Sequence, residues 1–235
     1  MMGIFYIDTE YTNGNFYLGD IFEIACLSEH SGRIFHSYID IGYKIPNYLK
    51  GLCNVEDEKI KSSPSFYDVM GGLLEFINVE ERCPPTRIIA HGGYHADFPL
   101  LIANCMKKDF TYAWLNNCEL VDSVKELQRL GYKKPGLNSF SPPNRIHSAF
   151  DDVRLLRRVA NDLLPQTLHI YTLEDIIHQM YTKMSVSIIE LQRLASEAAT
   201  LQCMEVLLHE LSTENTALNK KQVRKIARHY FRLRR

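Results

Sequence analysis

The sequence predicts an α/β protein: a mixed sheet of three antiparallel and then parallel strands, flanked by helices and followed by a helical C-terminal extension. Three observations carry this. The first forty residues alternate short apolar runs with turn residues. From about residue 65 to Pro165, strand-like runs alternate with stretches of helical period. Beyond Pro165 only helical patterns remain. Sheet strands come first and strand–helix units second, which is the order of a mixed sheet covered by helices.

The strand candidates are residues 3–9, 20–28 and 33–41. Ser31-Gly32 between the last two is a hairpin signal, which makes the opening strands antiparallel. Residues 42–64 read as irregular, broken by Pro46 and Pro64. Phe66, Val69, Met70, Leu73, Leu74 and Ile77 recur at helical spacing and predict a helix over 65–77. Residues 87–91 form a short apolar strand ending in Ala90-His91 and a Gly92-Gly93 turn. A helix over 98–107 follows, with Pro99 in its first turn, where proline is tolerated. Residues 118–122 are a further strand, and 123–131 a short helix ended by Gly131. A proline-rich loop spans 133–144, and Ser148 is placed to cap a helix over 149–163. The extension carries helical patterns over 172–182, 186–211 and 219–233, and the chain divides as 1–165 and 166–235.

The composition, 46% hydrophobic and 23% charged, is that of a globular protein. No apolar run approaches the roughly 18 residues of a membrane helix, and the N-terminus lacks a basic stretch ahead of an apolar core. The expectation is an intracellular protein, cytoplasmic or nuclear, not secreted and with no membrane partner. Six scattered cysteines without a CxxC pair argue against a disulfide framework or a zinc knuckle. His91 and His95 have a zinc-ligand spacing, but Gly92-Gly93 between them disfavours the helix it requires. Charge is unevenly spread: Lys220, Lys221, Arg224, Lys225, Arg228, Arg232, Arg234 and Arg235 give the last 17 residues a charge of +8, so the −1 of the whole chain leaves −9 on the rest. An acidic body with a basic end points to nucleic acid. The same tail carries an apolar stripe, Val223, Ile226, Ala227, Tyr230 and Phe231, that suits packing or a protein partner equally.

Three acidic sites stand out against their surroundings. Asp8 and Glu10 end the first strand two positions apart, so they share a face and repel unless a cation lies between them. A polar strand end turning through Thr12-Asn13-Gly14 is the plainer reading. Asp97 stands at the start of a helix, where the dipole favours an acid in any case. On the 149–163 helix, Asp151 shares a face with Arg154 and Arg158, a solvated stripe, whereas Asp152 falls on the apolar stripe of Ala149, Leu156 and Val159. A carboxylate there needs compensation, which makes Asp152 the functional candidate of the pair. His147 precedes it by five residues on a loop.

Together these pieces resemble the DEDDh family of 3′-to-5′ exonucleases, the class of polymerase proofreading subunits and ribonuclease T, over residues 3–160. Asp8-Thr9-Glu10 is similar to the first motif, His91 to Leu101 to the second, and His147-Ser148-Ala149-Phe150-Asp151-Asp152 to the third, His-x-Ala-x-x-Asp. The second motif departs from the family pattern, with Gly92 after the His, Ala96 before the Asp and one residue more between them. Tyr11 stands where the family commonly has Thr.

The resemblance implies a ribonuclease H-like sheet of five strands in an exonuclease domain over 1–165. It implies a phosphodiester hydrolase acting at the 3′ end of DNA or RNA by a two-metal mechanism. Asp8, Glu10, Asp97 and Asp152 would bind two Mg²⁺ or Mn²⁺ ions, Asp8 bridging them, and His147 would be the general base. Thr9, Tyr11 and His91 would meet the bound nucleotide, with Lys133 and Lys134 as cationic contacts. The competing reading is a catalytically weak or inactive module that binds nucleic acid or protein through its helical C-terminus. The oligomeric state stays open, a dimer included.

Overall fold

The computed structural model describes residues 2–15, 18–80, 84–133, 135–141 and 147–184. The expected tail helices at 186–211 and 219–233, with Lys134, lie outside the described residues. The chain divides into two compact units, Met1–Leu173 and Glu174–Arg235.

The first unit is built on strands β1 (Ile4–Tyr11), β2 (Ile21–Ser28), β3 (Ile34–Tyr38), β4 (Thr86–Ala90) and β5 (Cys118–Asp122). Their spatial order is β3-β2-β1-β4-β5. β2 runs antiparallel to β1 and β3, whereas β4 and β5 run parallel to β1. This is the mixed five-stranded sheet expected. Every residue of β2 is buried, because helices cover both faces of the sheet. The segment between β3 and β4 holds helices α1 (Asn47–Cys53), α2 (Asp57–Lys61) and α3 (Phe66–Glu80), a connection long enough to return the chain parallel to β1. Helices α4 (Asp97–Lys107), α5 (Ser123–Arg129) and α6 (Ala149–Leu163) complete the unit, and α7 (Leu173–Met184) opens the second.

The pleat sorts the core into two layers. Tyr6, Ala25, Leu27, Ile89 and Val121 face Ala149, Val153, Leu156 and Ala160 of α6. On the opposite face Phe5 meets Phe76 of α3 edge-on, ring centroids 6.2 Å apart.

Residues 42–64 are not irregular throughout: α1 and α2 lie inside that stretch. Pro46 starts a helix there, sitting at the N-cap of α1, and Asn54 ends it in the left-handed region with φ 49°. Leu49 and Cys53, one turn apart, bury against Phe22, Ile41 and Ile45. A helix of seven residues shows too few turns for its period to register in the sequence. Likewise α3 continues to Glu80 rather than ending at 77, and the 133–144 loop contains a 3₁₀ turn over Leu137–Phe140.

Candidate active site

β1 carries Asp8 and Glu10 on the face that α6 covers. In the β1–β2 register Asp8 stands opposite Ala25, and Glu10 opposite Glu23. Directly opposed residues share a face, so three carboxylates line one patch of the sheet. α6 brings the fourth from above. Asp152, in its first turn, is 5% exposed because Ala149, Val153 and Leu156 press that side of the helix onto the sheet. Asp151, one residue away, is exposed.

The side chains of Glu10, His147 and Asp152 meet here, with ligand atoms all within 4.8 Å of one another. His147 is held from two sides. Its backbone N–H donates to the Leu52 carbonyl at 3.1 Å, and Asn138 Nδ2 lies 3.3 Å from its Nε2.

Asp97 approaches from the other layer as the first residue of α4, so it is a first-turn acid and not the cap, which is Ala96. Its Oδ1 accepts from the Thr9 backbone N–H at 3.0 Å and from Thr9 Oγ1 at 2.7 Å. Thr9 lies between Asp8 and Glu10 in the strand, so these two bonds fasten α4 to the strand that carries both acids.

The packing of anions raises their proton affinity. Burial, then the charges of Asp97, Asp152, Glu10 and Glu23, holds Asp8 well above the usual carboxylate range. Glu10 is pushed up to about 8, by burial first and then by Glu23, Asp152 and Asp97. Asp97 is raised to about 6 by burial, against which its bonds with Thr9 pull down. Oxygen donors so arranged suit a hard divalent cation, whose charge offsets the repulsion that otherwise drives protonation.

Two acids here were not singled out in the sequence. Glu23 is 0% exposed, and its Oε1 accepts from Ser148 Oγ at 3.0 Å and from His36 Nε2 at 2.9 Å. Ser148 occupies the cap position of α6 but spends its hydroxyl on Glu23 instead of on the helix. A glutamate inside the apolar run Ile21-Phe22-Glu23-Ile24 was the available signal. Asp122 caps α5 and also accepts from the Gly92 and Tyr94 backbone N–H groups at 3.0 and 3.2 Å, which fixes the loop leading into Asp97. Cys53 joins the rim, its Sγ 3.7 Å from Glu10 Oε2.

The remaining candidates are placed differently. Thr9 is buried with its hydroxyl committed to Asp97. Tyr11 is half-buried; burial first, then Asp97, Glu10 and Asp8, pushes its phenol up to about 12. His91 stands apart from the carboxylates, its Nδ1 2.8 Å from Ser123 Oγ and its ring lowered to about 4 by burial. Lys133 is exposed on the segment after α5.

An exonuclease family model, RNase_T, matches residues 5–160. Among solved structures, the nuclease domain of 3′hExo, described as a DEDDh family member bound to rAMP, superposes with a TM-score of 0.57 at 16% identity. That match covers 72% of this chain and 96% of that one. Cell-death related nuclease 4 (CRN-4) gives a TM-score of 0.53 at 13% identity, covering 69% of this chain and 64% of its own. At these identities the likeness shows the fold. No curated protein matches by sequence.

Proposed function

We propose that this chain, which belongs to the RNase_T exonuclease family, removes nucleotides stepwise from the 3′ end of a DNA or RNA strand. The observation that carries the reading is the meeting of Glu10, His147 and Asp152 within 4.8 Å, beside Asp8 on the same strand face.

Asp8, Glu10 and Asp152 would hold divalent ions, with Asp97 completing the set of four carboxylates for two Mg²⁺ or Mn²⁺. The fit rests on the donor chemistry: all-oxygen ligands whose proton affinity is raised by burial first and then by one another's charge, which a divalent cation would offset. When bound, such ions acidify an attacking water and neutralise charge developing on the phosphate.

The chain's own residues do the rest. His147, whose ring meets Glu10 and Asp152, would take the proton from the attacking water. Thr9 holds one oxygen of Asp97 and leaves the other for the ion set. Leu52 and Glu23 fix the loop around His147 through its backbone N–H and through Ser148. A base aligned before substrate arrives loses less entropy when the reaction begins.

Strands labelled at either end test this. In Mg²⁺ a 5′-labelled strand should shorten one nucleotide at a time, a 3′ label should leave at once as mononucleotide, and chelation should stop both. Internal fragments, or early loss of the 5′ label, would overturn the proposal.

A further inference from the structure

Away from the carboxylates, β5, α5 and the segment before α7 enclose a cleft of about 420 Å³ lined by Lys125, Gln128, Arg129, His169 and Tyr171. Three rings stand in series at its edge. Tyr94 and Tyr171 have centroids 4.5 Å apart at 37°, and His169 meets Tyr171 at 4.5 Å and 68°. The Lys125 ammonium lies 5.8 Å from the Tyr94 ring centroid. Arg129 pairs with Glu126 at 3.2 Å yet stays 63% exposed, so its charge reaches solvent.

The cleft is built, not incidental. Glu126, 2% exposed, accepts from both the Arg129 guanidinium and the His169 backbone N–H at 3.2 Å. Tyr171 exchanges two backbone hydrogen bonds with Leu120 of β5, at 2.8 and 3.0 Å. One buried acid and one strand therefore hold Arg129, His169 and Tyr171 in place. A ring series that ends on the exposed His169, beside two cations, is the kind of surface single-stranded nucleic acid uses, bases against rings and phosphates on the charges. The place is also suitable. Tyr94 stands three residues before Asp97, so their Cα atoms are no more than about 11 Å apart.

We propose that the Tyr94–Tyr171–His169 ring series, with Lys125 and Arg129, binds the single strand just upstream of the nucleotide held at the carboxylates. This rests on the nuclease reading for its direction, but the binding itself can be measured without turnover. The probe is a 5′-fluorescent single strand of about ten nucleotides, followed by anisotropy. Beside it runs hydrolysis of p-nitrophenyl thymidine 5′-monophosphate, which is too small to reach the cleft.

Tyr171→Ala should weaken binding of the strand roughly 5- to 150-fold, the range for removing one stacking ring. Tyr171→Phe should restore it, and Lys125→Glu should weaken it and flatten its salt dependence. Hydrolysis of the small ester should match the parent in all three. If Tyr171→Ala does not fold, Lys125→Glu decides. Parent-like affinity in Tyr171→Ala or Lys125→Glu would overturn the inference. A parent that hydrolyses neither substrate but loses strand affinity in these variants would sink the nuclease reading alone.

Discussion

Replacing Glu10 by glutamine should make the metal-free protein more stable at alkaline pH, although it removes a charge from the candidate centre. The carboxyl is held at about 8 against an ordinary 4.5. Between those values the folded chain keeps a proton that the unfolded chain has released, so each step up in pH favours unfolding. The full interval corresponds to at most about 5 kcal/mol. A second route gives a similar size: two carboxylates no more than 4.8 Å apart, as Glu10 and Asp152 are, repel by about 3 kcal/mol or more at an effective dielectric of about 20. His91 works in the opposite sense. Its ring, lowered to about 4 by burial, contributes stability that is complete above about 6.5 and lost as pH falls through about 4. The informative quantity is therefore the difference between parent and variant, in which His91 cancels. Urea unfolding in a chelator should show Glu10→Gln gaining on the parent by a few kcal/mol between about pH 5 and pH 8. Millimolar Mg²⁺ should then raise the parent and leave the variant nearly unmoved. Parallel pH curves for the two proteins would refute the electrostatic account of the cluster.

Two further outcomes follow from the packing around the site. Ser148→Ala removes the hydroxyl that Glu23 accepts, and should cost about 1–3 kcal/mol in urea unfolding. Because Ser148 adjoins His147, it should also lower kcat more than it alters KM, with Ser148→Thr restoring both. Gly93→Ala would put a Cβ 2.5 Å from that of Ala90 and 2.8 Å from Phe98 Cε2. It should destabilise by about 1–3 kcal/mol, read from the same unfolding curves, and weaken divalent binding by shifting the loop that ends at Asp97.

Long, consistently patterned elements are legible in the sequence. β1, β2 and β3, the strands at β4 and β5, and α3, α4 and α6 all lie where apolar runs and helical periods put them. The split between Asp151 and Asp152 was equally readable, because a helix of period 3.6 assigns adjacent residues to different faces. Short or cooperative features were not readable. α1 and α2 are too brief to display a period, and Pro46 proved to start a helix. Glu23 escaped notice because its importance lies in register: only the pairing of β1 with β2 sets it opposite Glu10. The hydroxyl of Ser148 looked like a helix cap, yet a buried carboxylate across the layer competes for it and wins. That the Thr9 hydroxyl fastens Asp97, 88 residues away, was equally invisible. In each of these cases the deciding partner is distant in sequence, which local pattern cannot report.

The carboxylates around Asp8 are, on this proposal, a divalent-metal centre that hydrolyses nucleic acid from its 3′ end. Its most direct test is Mg²⁺-dependent degradation of a 5′-labelled single strand by the parent and by Asp8→Ala, the acid that Asp97, Asp152, Glu10 and Glu23 all act upon. The parent should give a stepwise ladder, and the variant a rate at least about 10³-fold lower. Equal rates in the two proteins, or no degradation of DNA or RNA by the parent, would contradict it.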